Sequence, residues 1–277
     1  MTGAAGLALH VYRDGASASL PLVLLHGFPL DHRMWDDVAP MLAGDGPVLA
    51  PDLPGVGASP TAEECGVALG RGPEPALETA ADAVAATLHA HGVHRAVIAG
   101  LSMGGYVALA LLERHPDLVA GLALLDTRSA SDDEQVVSRR LQIVSTVMLE
   151  HSLDAVAGMS TTLLGATNQV TRPELVGRLG EWIADQEPAA IAWNQLAMAT
   201  RPDRTEMLRG FTGPALVMVG EEDVTAPFAA ARQMADVLGD VELVVVPQAG
   251  HLTAIENAAS VASGLNRLMA RCAAVGD

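Results

Sequence analysis

The chain alternates between short, mainly apolar runs and longer stretches in which apolar residues recur every three or four positions. The runs fall at 20–25 (LPLVLL), 47–50 (PVLA), 95–99 (RAVIA), 121–125 (GLALL), 215–219 (ALVMV) and 241–246 (VELVVV). Runs of this length read as strands buried on both faces, because helices on either side of a parallel sheet leave no face for polar residues. Residues 7–12 alternate instead, which suits an edge strand ended by the turn Arg13-Asp14-Gly15. Between the runs lie helical patterns. Leu77, Ala81, Val84 and Leu88 keep a helical period, with Gly92 placed to stop it. Residues 31–35 open a second helix reaching about Leu42, 106–115 a buried one, and 227–238 one that begins on proline. Val261, Leu265, Leu268 and Cys272 form the buried stripe of a closing helix. Strands alternating with helices predict an α/β fold whose mostly parallel sheet is doubly wound.

The alternation breaks twice. Residues 59–74 are rich in Gly, Pro and Glu without apolar period, which predicts a mobile surface loop. Residues 127–211 carry helical patterns at 132–150, 173–185 and 189–199 and no convincing strand. A helical block between two strands of a parallel sheet reads as an inserted helical cap. The expected division is a core of 1–127, a cap of 128–212 and a second core part of 213–277.

Composition narrows the function. The chain has 277 residues, half of them apolar, enough for one large α/β domain with an insertion. No apolar run reaches the length of a membrane span, and the first residues lack the basic-then-apolar pattern of a secretion signal. Cys65 and Cys272 are far apart, without metal-ligand spacing, so free thiols in a cytoplasmic, reducing setting are expected and no metal. The formal charge is −17, and all sixteen cationic residues are arginine. Such a surface disfavours nucleic acid and anionic membranes as partners and leaves a small-molecule substrate.

The chemistry is concentrated after the strands. In an open parallel sheet, ligands bind beyond the carboxyl ends of the strands. Gly100-Leu101-Ser102-Met103-Gly104-Gly105 joins a strand to a helix and has the form of a nucleophile elbow. The turn is so tight that residues two before and two after the serine must lack side chains. A serine hydroxyl needs a base within reach, and the base needs a carboxylate to fix its tautomer. His251 follows a strand through Gln248-Ala249-Gly250, and two carboxylates, Asp126 and Asp223, follow strands in between. The order Ser, Asp, His is that of the α/β-hydrolase triad.

Five motifs carry a resemblance over nearly the full length: HGF at 26–28, DLPGVGAS at 52–59, GLSMGG at 100–105, GEEDVTAP at 220–227 and AGHLTAIEN at 249–257. With them the chain resembles the α/β-hydrolase superfamily. The SMGG elbow, RHPDLV at 114–119 and GHLTAIEN look like its small bacterial esterases, relatives of the 3-oxoadipate enol-lactonases and cofactor-free haloperoxidases. The resemblance implies Ser102 as nucleophile, His251 as general base and acid, and Asp223 as orienting carboxylate. It implies the backbone N–H groups of Phe28 and Met103 as oxyanion hole, and no cofactor. Asp126 stays open as an alternative acid, or as a residue that lines the pocket or bonds to the first cap turn. His26 is expected to support the oxyanion loop, Asp52 a turn, and Glu221, Glu222 and the remaining histidines to be solvated. Trp182, Trp193, Met148, Met159 and Met198 are candidates for lining a pocket in the cap.

The implied reaction is hydrolysis of a carboxylic ester or lactone through an acyl-serine. Perhydrolysis, haloperoxidase chemistry, C–C bond hydrolysis and lyase chemistry use the same triad. A serine at the elbow disfavours dehalogenase and epoxide hydrolase chemistry, which needs a carboxylate nucleophile. The alternative of another class is a ligand-binding sensor on this fold.

Overall fold

All six apolar runs become parallel strands of one sheet: β2 (Leu22–Leu25), β3 (Val48–Pro51), β4 (Ala96–Leu101), β5 (Val119–Leu125), β6 (Ala215–Gly220) and β7 (Val241–Val246). The alternating segment gives β1 (Leu9–Arg13), which pairs antiparallel with β3 at the sheet edge. The order is β1-β3-β2-β4-β5-β6-β7. Every residue of β2 through β6 is buried, while β7 is half-buried at the far edge. The computed structural model describes residues 6–15, 19–72 and 74–276, so the reading of residues 1–5 lies outside the described residues.

Helices connect the strands: α1 (Ala62–Ala68), α2 (Leu77–Ala90) and α3 (Met103–Arg114) before and after β4, then α11 (Phe228–Val237), α12 (Thr253–Glu256) and α13 (Ala258–Gly276) around β7. From β2 the chain moves to β3 on one side, whereas from β4 onward it moves the other way. Parallel crossovers are right-handed, so the β2–β3 connection covers one face and α2, α3 and α11 the other. The direction changes between β2 and β4, the place where such a sheet opens a crevice. Phe28 follows β2 and Ser102 follows β4, so both stand at that crevice. The described helices include none long and apolar enough to cross a membrane.

Two local expectations fail. The stretch 59–74 is no loop throughout, because α1 lies within it. Its start carries a capping box, in which Thr61 accepts from Glu64 N–H and Glu64 returns the bond to Thr61 N–H. The helix expected from 31 to 42 is two short 3-10 turns, His32–Trp35 and Ala39–Met41. Pro40 has no N–H to donate to a continuous helix and sits at the start of the second turn.

Between β5 and its neighbour β6 the chain leaves the sheet for seven helices: α4 (Glu134–Glu150), α5 (Asp154–Ala157), α6 (Met159–Thr162), α7 (Ala166–Thr171), α8 (Glu174–Ala184), α9 (Pro188–Ala199) and α10 (Thr205–Arg209). α4 lies against α9. Charge pairs tie this block down. Asp132 and Arg201, both buried, pair at 2.6 Å, and the Arg201 guanidinium stands 4.0 Å from the Tyr106 ring of α3. Arg204, buried as well, bonds Glu113 of α3 and Glu78 of α2. At the other end Arg33 pairs with Asp185 at 2.8 Å and Arg178 with Asp37 at 2.9 Å. Asp132 and Arg201 pair within the block, while the Tyr106, Arg204, Arg33 and Arg178 contacts join it to both sides of the crevice.

Candidate active site

The elbow is built by close approach. A Cβ on Gly100 would lie 2.2 Å from Gly104 O, and one on Gly104 would lie 2.2 Å from Leu25 O. Neither position admits a side chain. Ser102 itself takes φ +53°, in the region that L-residues avoid, and so turns its side chain out of the strand line. Its backbone is fixed on both sides: Ser102 N donates to Leu125 O at 2.9 Å, and Thr127 Oγ1 donates to Ser102 O at 2.8 Å.

Ser102, His251 and Asp223 come from three separate loops and meet in one hydrogen-bonded line. His251 Nε2 stands 2.8 Å from Ser102 Oγ, and Nδ1 stands 2.9 Å from Asp223 Oδ2. The other oxygen, Asp223 Oδ1, accepts from Thr225 N at 2.7 Å and Ala226 N at 2.9 Å. An acceptor-only carboxylate at Nδ1 puts the imidazole proton there and leaves the Nε2 lone pair for the serine hydroxyl. All three side chains are buried, with Ser102 at 8 % exposure. That arrangement can take a proton from Ser102 and return it to a leaving group.

Phe28 and Met103 flank the serine. Met103 opens α3, so its N–H has no partner one turn back within the helix. The turn bearing Phe28 lies against the elbow, since a Cβ on Gly27 would be 3.5 Å from Ser102 Cβ.

Asp126 does something else. It is fully buried with φ +47°, and its carboxyl oxygens bond to Gly220 and Thr253 rather than to the first turn of the block that follows it. Its Oδ1 accepts from Gly220 N at 2.9 Å, and its Oδ2 accepts from Thr253 N at 3.2 Å and Thr253 Oγ1 at 2.5 Å. Burial, with Asp223's charge adding to it, raises its carboxyl well above the ordinary range. His251 Nδ1 bonds to Asp223.

Other residues depart from expectation too. Glu222 is partly solvated as expected but also bonds across to the inserted helices, accepting from Thr167 N at 2.8 Å and from Thr167 Oγ1. His32 and His115 bond Asp52 and Asp82, so they are not simply solvated. Met148 is 49 % exposed on α4, and the guanidinium groups of Arg33 and Arg178 stand 5.5 and 5.2 Å from the Trp182 ring. Asp31, His32 and Asp52 bring ligand atoms within 4.8 Å of one another. All three side chains are hydrogen-bonded as they stand: Asp31 accepts from Arg33 and Gln186, and Asp52 accepts from His32 N and Nδ1.

His26 supports the Phe28 turn. It is wholly buried, and its Nε2 accepts from Leu53 N at 2.9 Å. Burial holds its imidazole below the ordinary histidine value, against the nearby charge of Asp52. In the unfolded chain the same group takes up a proton below about pH 6.5. Its stabilising contribution is therefore complete above that value and lost as pH falls toward the lower folded one. His32 works oppositely: its bond to Asp52 raises it, so its contribution is complete at low pH and fades as pH rises past the folded value. The difference isolates His26. Wild type should lose more stability than His26→Gln between about pH 7.5 and 5.5, read as urea midpoints. Equal losses would contradict the buried neutral imidazole.

Glu256 and Asn168 had no role in the sequence reading. Both are buried, at 6 % and 5 % exposure, and bond each other at 2.8 Å beside the His251 turn. A glutamate five residues after the histidine, in a segment with only Thr253 otherwise polar, was the available signal.

A family profile described as alpha/beta hydrolase fold matches residues 21–258. A curated relative, the pimeloyl-[acyl-carrier protein] methyl ester esterase of Neisseria meningitidis serogroup C, is 30 % identical over 250 residues, covering 87 % of this chain and 90 % of the relative. The dihydrolipoyllysine-residue acetyltransferase component of the acetoin cleaving system of Pseudomonas putida is 32 % identical over 258 residues, covering 92 % of this chain. The match spans only 65 % of that longer protein. Among solved structures, a thermophilic esterase from Thermogutta terrifontis superposes with a TM-score of 0.86 at 31 % identity, covering 96 % of this chain and 93 % of that one.

Proposed function

The chain belongs to the α/β hydrolase family, and from that premise we propose that it hydrolyses a carboxylic ester or lactone of a small molecule through an acyl-serine intermediate. The observation that carries this reading is the unbroken line from Ser102 Oγ through both His251 nitrogens to Asp223. Ester hydrolysis by two similar proteins, as their names state, supports it.

Ser102 Oγ attacks the substrate carbonyl carbon as His251 Nε2 takes the hydroxyl proton. The oxygen that gains charge is held by the N–H groups of Phe28 and Met103, a contribution of about 10²–10³ in rate per donor in such sites. The tetrahedral adduct collapses, and His251 hands its proton to the departing alkoxide. Water then attacks the acyl-serine with His251 again as base, releasing the acid and restoring Ser102. Asp223 stays ionised throughout and stabilises the imidazolium. No step calls for a cofactor. Residues 128–212 act as the cap that selects the acyl and alcohol parts. The strongly acidic surface and the two buried free thiols fit a small-molecule enzyme of the cytoplasm.

A fluorophosphonate probe tests the reading together with p-nitrophenyl acetate and butyrate. The expected result is a single adduct on Ser102, located by peptide mass, with loss of ester turnover in step with labelling. An adduct on any other residue with turnover preserved would overturn the proposal. Labelling of Ser102 without turnover on an ester and lactone panel would favour the sensor reading instead.

A further inference from the structure

Four consecutive backbone N–H groups carry the His251 turn, and every one of them has an acceptor. Gly250 N and Leu252 N donate to Glu256 Oε1 at 2.8 and 3.2 Å. His251 N donates to Leu163 O at 2.9 Å, and Thr253 N donates to Asp126. Glu256 thus grips the amides on either side of the histidine. Its second oxygen, Oε2, faces the inserted helices and accepts from Gly165 N and Asn168 Nδ2, both at 2.8 Å. Asn168 Nδ2 also donates to Gln248 O at 2.6 Å, and Thr167 binds Glu222 on the loop that bears Asp223.

A buried carboxylate is costly unless its lone pairs are met, and these are met by three backbone N–H groups and one side-chain amide, with no cation among them. An aliphatic residue would fill the same volume at lower cost. What it could not do is hold two separate segments, 163–168 and 250–252, by donors on opposite sides of one planar group.

We propose that Glu256 is a positioning residue for the reaction: its two oxygens lock the His251 turn to the Leu163–Asn168 segment, so the inserted helices hold the imidazole in line between Ser102 and Asp223. The proposal rests on reading Ser102, His251 and Asp223 as the catalytic set. Glu256 touches none of the reacting atoms. It acts through the Gly250 and Leu252 N–H groups on either side of the histidine, and loosening them displaces the ring by a fraction of its hydrogen-bond length in each direction. Geometric error of about 1 Å at a reacting group costs about 10²-fold in rate.

Glu256→Gln keeps the shape but turns an NH2 toward one pair of N–H donors. In this variant kcat on p-nitrophenyl butyrate should fall about 10²-fold while KM moves less than about threefold. Labelling of Ser102 by the fluorophosphonate should slow in parallel, and the downfield proton resonance of His251 Nδ1–H should broaden or shift. A merely structural role would lower the melting temperature and leave these readouts in place. Folded Glu256→Gln protein with kcat and labelling rate within about twofold of wild type would overturn the proposal. If that variant does not fold, Asn168→Ala removes one donor from the insertion side alone. Its labelling should slow about tenfold, and an unchanged rate would equally overturn the lock. Ser102→Ala separates the two layers. Wild-type activity there removes the catalytic reading itself, whereas an inactive Ser102→Ala beside fully active Glu256 variants removes only the positioning role.

Discussion

Ser102→Ala should lower kcat/KM on p-nitrophenyl butyrate by about 10⁶-fold and leave the fold intact. The size follows from what the residue supplies. Without Oγ there is nothing for His251 to deprotonate, so base and orienting carboxylate lose their purpose together with the nucleophile. Such members act as a unit, and removing one costs nearly as much as removing all. A residual acceleration of about 10³–10⁴ over water is expected from the Phe28 and Met103 donors and from binding. Stability should barely change, because the only side-chain bond lost is the one to His251, and alanine can keep the Ser102 backbone conformation that the Leu125 and Thr127 bonds enforce. Steady-state kinetics and a urea titration read both halves. Wild-type turnover in the folded variant would mean that another group attacks the carbonyl.

Asp223→Asn should cost about 10⁴-fold in kcat, and the direction of its amide explains why. Thr225 N and Ala226 N both donate to Oδ1, so the asparagine oxygen must stay there. The NH2 then replaces Oδ2 and faces His251 Nδ1 as a donor. The imidazole answers by accepting at Nδ1 and moving its proton to Nε2, where it can no longer take one from Ser102. Asp126→Asn has another outcome. Its two oxygens accept from Gly220 N and Thr253 N on opposite sides, so an amide must place its NH2 against one of these backbone N–H groups. That should cost about 1–3 kcal/mol of stability and at most about 10²-fold in rate through the neighbouring His251 turn. The ratio of the two losses, measured by kcat on one ester, checks the assignment. A larger loss in Asp126→Asn would transfer the acid role to it.

The sheet was legible because its inner strands, β2 to β6, are buried on both faces, which leaves a nearly unbroken apolar run in the sequence. The elbow was legible for a steric reason, since Gly100 and Gly104 stand where a Cβ would strike a carbonyl. Other features were written more faintly. Thr61 and Glu64 spell a capping box, yet the surrounding Gly, Pro and Glu content masked the short α1. α5, α6 and α7 are four to six residues each, too short to develop a periodic face. Asp126 and Glu222 were unreadable for a different reason. A carboxylate after a strand takes its role from where its side chain points. For Asp126 that depends on a positive φ, and for Glu222 on a helix 55 residues earlier in the chain. Neither fact has a local signature.

The contacts between the inserted helices and the sheet have a polarity that bears on chimeric enzymes. On the core side stand carboxylates: Asp31, Asp37, Glu78, Glu113, Glu222 and Glu256. On the inserted side stand donors, namely Gln186, Arg178, Arg204, Thr167 and Asn168. Arg33 with Asp185 is the reversed pair. Transplanting another hydrolase's helices onto this sheet, to import its substrate preference, would therefore fail at the seam unless the graft brought donors to these positions. An acidic residue at any of them would meet a carboxylate already waiting there.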